Sequence, residues 1–225
     1  MPWPKTAGTL KPVQPDTAKT HWAFQPVTDP PVPQDDKGTV RTPVDAFVLQ
    51  RLQEAQLSPS PEADRRTLIR RITYALTGLP PTPSAVESFV SSDDPNAYDK
   101  LVEELLASPA HGEHWARHWL DIARYSDTKG YVYAREERFW VHAWNYRDWV
   151  VNAFNSDMPY DRFLLEQIAG DLLPYKDVID QSKKIVATGF LAVGTKSHNE
   201  RNPRQFALEV ADEQIDAMSQ SMLGI

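Results

Sequence analysis

The chain contains no cysteine, which excludes disulfides, cysteine-ligated zinc, iron–sulfur clusters and covalent haem attachment through thioethers. That absence leaves the compartment open, because an exported protein needs no disulfide. Basic charge is also scarce. The 24 Lys and Arg residues stand against 31 Asp and Glu, a formal net charge of -7, and a sequence-independent nucleic-acid partner, which needs a basic face to neutralise phosphate, is disfavoured on that ground. No apolar run approaches the roughly 20 residues that a membrane-spanning helix needs, and the opening MPWPKTAGTL lacks the apolar middle of a secretory signal. Gly-rich phosphate loops and the nucleophile-elbow and kinase signatures are missing. So are alternating strand patterns and repeats of fixed period.

What is present begins with proline. Of the nineteen prolines, Pro2, Pro4, Pro12, Pro15, Pro26, Pro30, Pro31 and Pro33 crowd residues 1–42; they forbid continuous helix and favour an extended, polyproline-like arm or linker. His21, Trp22 and Phe24 give that arm one apolar spot expected to dock. From Pro43 the period turns helical, with Val44, Phe47, Val48, Leu52 and Leu57 on one stripe and Leu68, Ile69, Ile72 and Leu76 on the next. Gly78 and the prolines of LPPTP end the second helix. Thr82–Pro83, Ser108–Pro109 and Asn202–Pro203 each pair a capping residue with proline at the first helical position. Helices are expected at about 82–91, 96–107, 110–126, 143–155, 159–169, 179–188 and 203–222, and a loop or short hairpin over 127–142. The expected fold class is all-α: an antiparallel multi-helix assembly over 43–225 behind a Pro-rich N-terminal arm over 1–42. A chain of 225 residues with 41% hydrophobic content can bury a core of that kind. Arg65, Arg66, Arg70 and Arg71 read as the solvated side of a helix.

The chemistry concentrates in residues 111–174, which hold five of the seven tryptophans, Trp115, Trp119, Trp140, Trp144 and Trp149. An indole fills a core and demands a partner for its N–H. His118, Asp121, Arg124, Asp127, Arg147, Asp148, Asp157 and Asp161 are therefore expected as a polar network inside or beside the core, where every member must be paired. Trp115, Trp119, Trp149, Phe154 and Phe163 are expected to join the 111–126, 143–155 and 159–169 helices.

Several constellations compete within this stretch. His111, His114 and His118 share a helical side, but tryptophan stands where a zinc-protease motif places its glutamate, so surface His111 and His114 with a hydrogen-bonded core His118 is the better reading. Asp121, three residues after His118, is placed to orient its imidazole as half of an acid–base pair. Arg147 or Arg124 is placed to fork onto a carboxylate. Asp157 reads as a cap for the helix after Pro159, and no calcium loop surrounds these oxygens. His118, Asp121, Asp148 and Asp157 are the candidate catalytic or substrate-positioning residues. No metal ligand set emerges. A last cluster comprises His198, Asn199, Glu200 and Arg201 with Glu209, Asp212, Glu213 and Asp216; Glu209, Asp212 and Asp216 share one face, read as a solvated helix.

The segments HWAFQPV (21–27), TPVDAFVLQRL (42–52), ADRRTLIRRITYALTGLPPTP (63–83), HGEHWARHWLDIARYSDTKGY (111–131), YRDWVVNAFNSDMPYDRFLLEQIAGDLLP (146–174), VATGFLAVGTKSHNERN (186–202) and DEQIDAMSQSMLGI (212–225) resemble the planctomycete cytochrome-C-associated domain of unknown function 1549 (DUF1549) family. The resemblance implies an exported, periplasmic or cell-surface, multidomain parent. It also implies a cytochrome-c-like domain and a C-terminal domain of unknown function as partners. Haem c, if carried, belongs to that parent, since these residues supply no cysteine and no cofactor is expected in this chain. The leading expectation is a helical module supporting a haem or substrate site completed by sequence beyond residue 225. An enzyme acting on polysaccharide or another extracellular polymer through its His and Asp residues is the alternative. The apolar residues Phe206, Val210, Ile215, Met218 and Leu223 are expected to leave an uncovered patch at the end of the chain.

Overall fold

The computed structural model describes residues 20–21, 24–34, 40–129, 139–194, 196 and 200–224. The chain falls into two compact units, Met1–Glu62 and Ala63–Ile225. In the first, residues 26–34 carry neither helix nor strand, as eight-proline spacing requires of an arm. Trp22 of the expected docking spot lies outside the described residues, and Phe24 is exposed beside His21, ring centroids 5.7 Å apart. Helix α1 (Pro43–Glu54) follows. Thr42 caps it by accepting from the Asp45 amide while the Asp45 carboxylate accepts from the Thr42 amide, a reciprocal box over proline at the first position. The Thr42 contacts hold the Asp45 carboxyl below the ordinary aspartate range. Its stripe is largely solvent-facing within the described chain: Val44, Val48 and Leu57 are exposed.

The second unit is helical throughout its described residues: α2 (Arg65–Thr77), α3 (Pro83–Ser91), α4 (Ala97–Leu106), α5 (Pro109–Ile122), α6 (Ala143–Asn155), α7 (Tyr160–Ala169), a 3₁₀ turn (Gly170–Leu172), α8 (Val178–Ala187), a second 3₁₀ turn (Thr188–Leu191) and α9 (Pro203–Leu223). No strand occurs among the described residues; an isolated antiparallel bridge joins Thr128 to Phe139, so the two ends of the 127–142 segment meet as a hairpin's would. Residues 130–138 between them lie outside the described residues. The three proline-led starts form as local chemistry dictates: Thr82, Ser108 and Asn202 each accept from an amide of the first turn. Gly78 ends α2 at φ 68°, and a Cβ there would run into the His114 ring, so both backbone and space demand glycine.

The most extensive helix pairing is α5 against α6. Gly112 near the start of α5 meets Asn155 at the end of α6, its amide donating to the Asn155 Oδ1 at 2.9 Å, while Trp119 farther on reaches Tyr146 near the start of α6; the two helices run antiparallel. Small buried residues line the seam: Gly112 and Ala116 from α5 with Ala123 just past its end, and Ala143 and Ala153 from α6. They let the backbones approach and leave the bulk to Trp119, Tyr146, Trp149 and Val150. Phe163 of α7 closes the core, 4.7 Å edge-on from Trp119 and 5.4 Å stacked on Trp149, and Phe190 stacks on Trp119 from the second 3₁₀ turn. Phe154 packs at its margin. Trp115 does not join: it is 39% exposed against 7% for Trp119, and its ring packs beside His111, His114 and His118 of its own helix, because the offset of about 40° between residues four apart is enough to leave a narrow seam.

Helix α2 packs on α3, α4 and α5. Its Arg66, Arg70 and Arg71 are exposed, and Arg66 pairs with Glu87 at 3.0 Å. Arg65 departs from the solvated face, its guanidinium lying 4.6 Å above the Phe89 ring. Helix α9 rests on α5 and buries only Ala217 fully, with Phe206, Val210 and Met218 half-buried and Leu208, Ile215 and Leu223 exposed.

Candidate functional site

One buried polar network lies inside this core, and it comprises residues other than those expected. Trp119 Nε1 donates to Gln167 Oε1 at 2.8 Å, the Tyr146 hydroxyl donates to the same oxygen at 2.7 Å, and Gln167 Nε2 donates to the Phe163 carbonyl at 3.0 Å. Burial pushes the Tyr146 phenol far above its ordinary value, so it remains a donor. Sequence spacing demanded a partner for the indole; it could not say that Gln167, 48 positions away, supplies it.

Of the acidic and basic residues expected inside or beside the core, Arg124 is partly buried while His118, Asp121, Asp127, Asp157 and Asp161 are exposed. His118 is exposed, its ring packed 5.4 Å from Trp115 and 5.7 Å from His114, which corrects the reading of a core histidine. Asp121 is exposed one turn on and contributes its backbone carbonyl to the Arg124 amide at 3.1 Å. No hydrogen bond joins it to His118 among the described contacts, so the orienting half-pair is not formed. Asp157 does not cap α7: the position before that helix is Pro159, without a side-chain cap. Asp157 instead takes φ 48° in the α6–α7 turn, a left-handed conformation that aspartate tolerates better than most residues. Asp161 is exposed in the first turn of α7, where the helix dipole favours it.

Asp148 is the candidate held in a defined arrangement. Arg147 Nε and Nη2 both donate to its Oδ1, at 3.0 and 2.9 Å. Beside this pair, where α5 ends and α6 begins, Tyr125 donates to Asp127 Oδ1 at 2.6 Å. The Tyr125 phenol is pushed up to about 12, first by burial and then by its bond to Asp127, with the Arg147 charge opposing and the Asp148 charge reinforcing. These four residues therefore sense one another. Aromatic surface adjoins them: the Trp140 amide donates to the Asp127 carbonyl at 2.8 Å, Lys129 sits 5.1 Å over the Trp140 ring, and Phe139 and Trp144 are exposed. The corner thus offers a phenol that stays protonated, a paired guanidinium and carboxylate, and planar apolar faces. Those are groups for holding and orienting; each carboxylate already has a donor.

Two further features follow from the tertiary arrangement. Of the acidic residues on α9, it is Glu213 that gathers charge, with Arg124 Nη1 at 3.2 Å and Lys196 Nζ at 3.1 Å; Arg124 also donates to the Glu213 carbonyl at 2.9 Å. Arg124 reaches it from φ 55°, and its Nε and Nη2 stay buried without a partner. Asp212 and Asp216 are exposed, as a solvated face requires, while Glu209 accepts from Gln205 at 3.0 Å. His198 and Asn199 lie outside the described residues. The second feature is the histidine ladder of α5: His111 Nδ1 lies 3.0 Å from the Leu76 carbonyl, and burial, then Arg117, His118 and His111, hold His114 below the ordinary histidine value. Among the described residues no three His, Asp or Glu side chains gather as metal ligands would.

The described residues define an all-α domain with a corner of ionic and aromatic groups where α5 ends and α6 begins. Residues 43–225 match the family described as PSCyt2, a protein of unknown function (DUF1549), and the chain belongs to that family. No curated protein and no solved structure matches it. No helix among the described residues is long and apolar enough to cross a membrane.

Proposed function

We propose that this domain is a support module of an exported, multidomain cytochrome-like protein. Its α5–α6 corner holds a neighbouring domain or substrate against a haem or substrate site that other domains carry. The observation behind this reading is that Asp127 and Asp148 are each engaged by a donor of the corner itself. A general acid or base needs a proton-transfer face open to substrate, whereas paired groups beside exposed aromatics suit recognition. Covalent haem attachment through thioethers is excluded by the absence of cysteine, and the cleft of about 530 Å³ between α2 and α5 has no His or Met in its lining.

The test is affinity against turnover. The longer parent protein and this chain are each assayed for binding to the parent's other domains and for hydrolysis of polysaccharides. The support reading expects Arg147→Ala and Trp140→Ala to weaken association while the chain alone turns over no polymer. Hydrolysis by the chain alone, abolished by Asp121→Asn or Asp157→Asn in a folded protein, replaces it with the enzyme reading.

A further inference from the structure

A cleft of about 530 Å³ lies away from the corner, between α2, α3, α4 and the start of α5. That volume is within the range that small-molecule sites occupy. Its floor is apolar: Ile69 and Phe89 are buried, and Leu101 and Leu105 are half-buried. Leu79, Pro80 and Pro81 form one wall, and proline keeps that wall stiff. The lining of α4 consists of Ala97, Lys100, Leu101, Glu104 and Leu105, the three-and-four spacing that puts one helical face toward the cleft. The leucines of that face explain themselves as floor.

The charges differ in how they are occupied. Lys100 is bound to Asp94 at 2.6 Å, and the Asp94 carboxyl is held below the usual range, first by Lys100 and then by the Asn96 amide; the pair is closed. Thr73 and Thr77 donate to the carbonyls of Ile69 and Thr73, so their hydroxyl protons are spent inside α2. Glu104 is exposed and has no hydrogen bond or ion pair among the described residues. Of the cleft's ionised side chains it is the one left for a ligand, and its sign selects a cation.

We infer that this cleft binds a small amphipathic cation, with its apolar body on Phe89, Leu101 and Leu105 and its ammonium at Glu104. Binding here is independent of the corner, because the cleft shares no residue with Tyr125, Asp127, Arg147 or Asp148.

Titration calorimetry of the whole chain with octylammonium, octanoate and 1-octanol, all well below micelle formation, tests this. Octylammonium is expected to bind saturably at one site and roughly tenfold more tightly than octanoate, with octanol between them. Glu104→Gln should cut the octylammonium affinity by about threefold, as loss of an exposed ion pair does, and leave octanol unchanged. Ala85→Phe and, separately, Ser88→Phe place a ring at exposed cleft-lining positions and should abolish binding of all three ligands while circular dichroism and melting stay as in the parent. The inference is overturned by absence of saturable binding, by equal or reversed preference between octylammonium and octanoate, by an affinity indifferent to Glu104→Gln, or by binding that survives both folded phenylalanine variants.

Discussion

Two polar clusters form around the α5–α6 pair, one neutral and shut in, the other ionic and open. Trp119, Tyr146 and Gln167 form the inner one, shut away between α5, α6 and α7. Tyr125, Asp127, Arg147 and Asp148 form the outer one, with the Arg147 and Asp148 side chains 44% and 47% exposed. In the inner cluster nothing is ionised and both donors converge on one amide oxygen. In the outer cluster charge is plentiful and water shares in it. A buried polar group is expensive to orphan, whereas an exposed ion pair is worth little. On these magnitudes the inner cluster is expected to weigh more on stability than the outer one, which is what the recognition role proposed for the corner requires.

The contrast is broken most directly at Trp119. Trp119→Ala should cost about 3–5 kcal/mol, because it empties a ring-sized space beside Phe163 and Phe190 and removes one of the two donors to the Gln167 oxygen; urea unfolding followed by circular dichroism measures it, and a near-neutral result would remove the inner cluster from the core. Gln167→Leu keeps volume but leaves the Tyr146 hydroxyl without its acceptor and Trp119 Nε1 with only the 3.2 Å contact to that hydroxyl. A loss of about 1–3 kcal/mol is expected in the same assay. For the outer cluster, Arg147→Ala should change stability by less than about 1 kcal/mol; a loss as large as that at Gln167 would show that the corner is structural after all.

The smallest effect is a pH slope. His114 has its pKa lowered by the fold, chiefly through burial, so below the ordinary histidine value the unfolded chain takes up the proton first. Stability due to this group is present above that value and is lost as the pH falls through the folded one. Melting temperatures between pH 7.5 and 5 should therefore decline less in His114→Gln than in the parent. An unchanged slope would mean that His114 is not perturbed.

Reading the fold from sequence succeeded at the proline-led helix starts and the glycine stop, where the deciding interactions lie within one turn, and failed at Asp157, which does not cap α7. Thr82, Ser108 and Asn202 cap the helices that begin at the following prolines, and Gly78 terminates α2; each of these is settled by residues no more than four apart. Reading burial failed wherever a spacing fits two faces. Trp115 and Trp119 are four apart, yet only the second enters the seam. His118 and Asp121 have the spacing of a pair and stand in solvent without forming one. That Arg147 or Arg124 would meet a carboxylate was legible, but which carboxylate was not: Arg147 takes the adjacent Asp148 and Arg124 takes Glu213, 89 positions away.

From its amino acids alone the chain determined an all-α architecture, the helix starts and stops, and the exclusion of thiol chemistry. Periodicity, caps and composition act locally and survive in any packing. Tertiary structure alone decided which polar residues are shut in, that Gln167 answers the Trp119 indole, that Glu213 rather than its neighbours joins Arg124 and Lys196, and that Glu104 faces a cleft without a partner. Burial and pairing depend on which helix faces meet, and that choice is made by the close packing of small residues along α5 and α6, far apart in sequence.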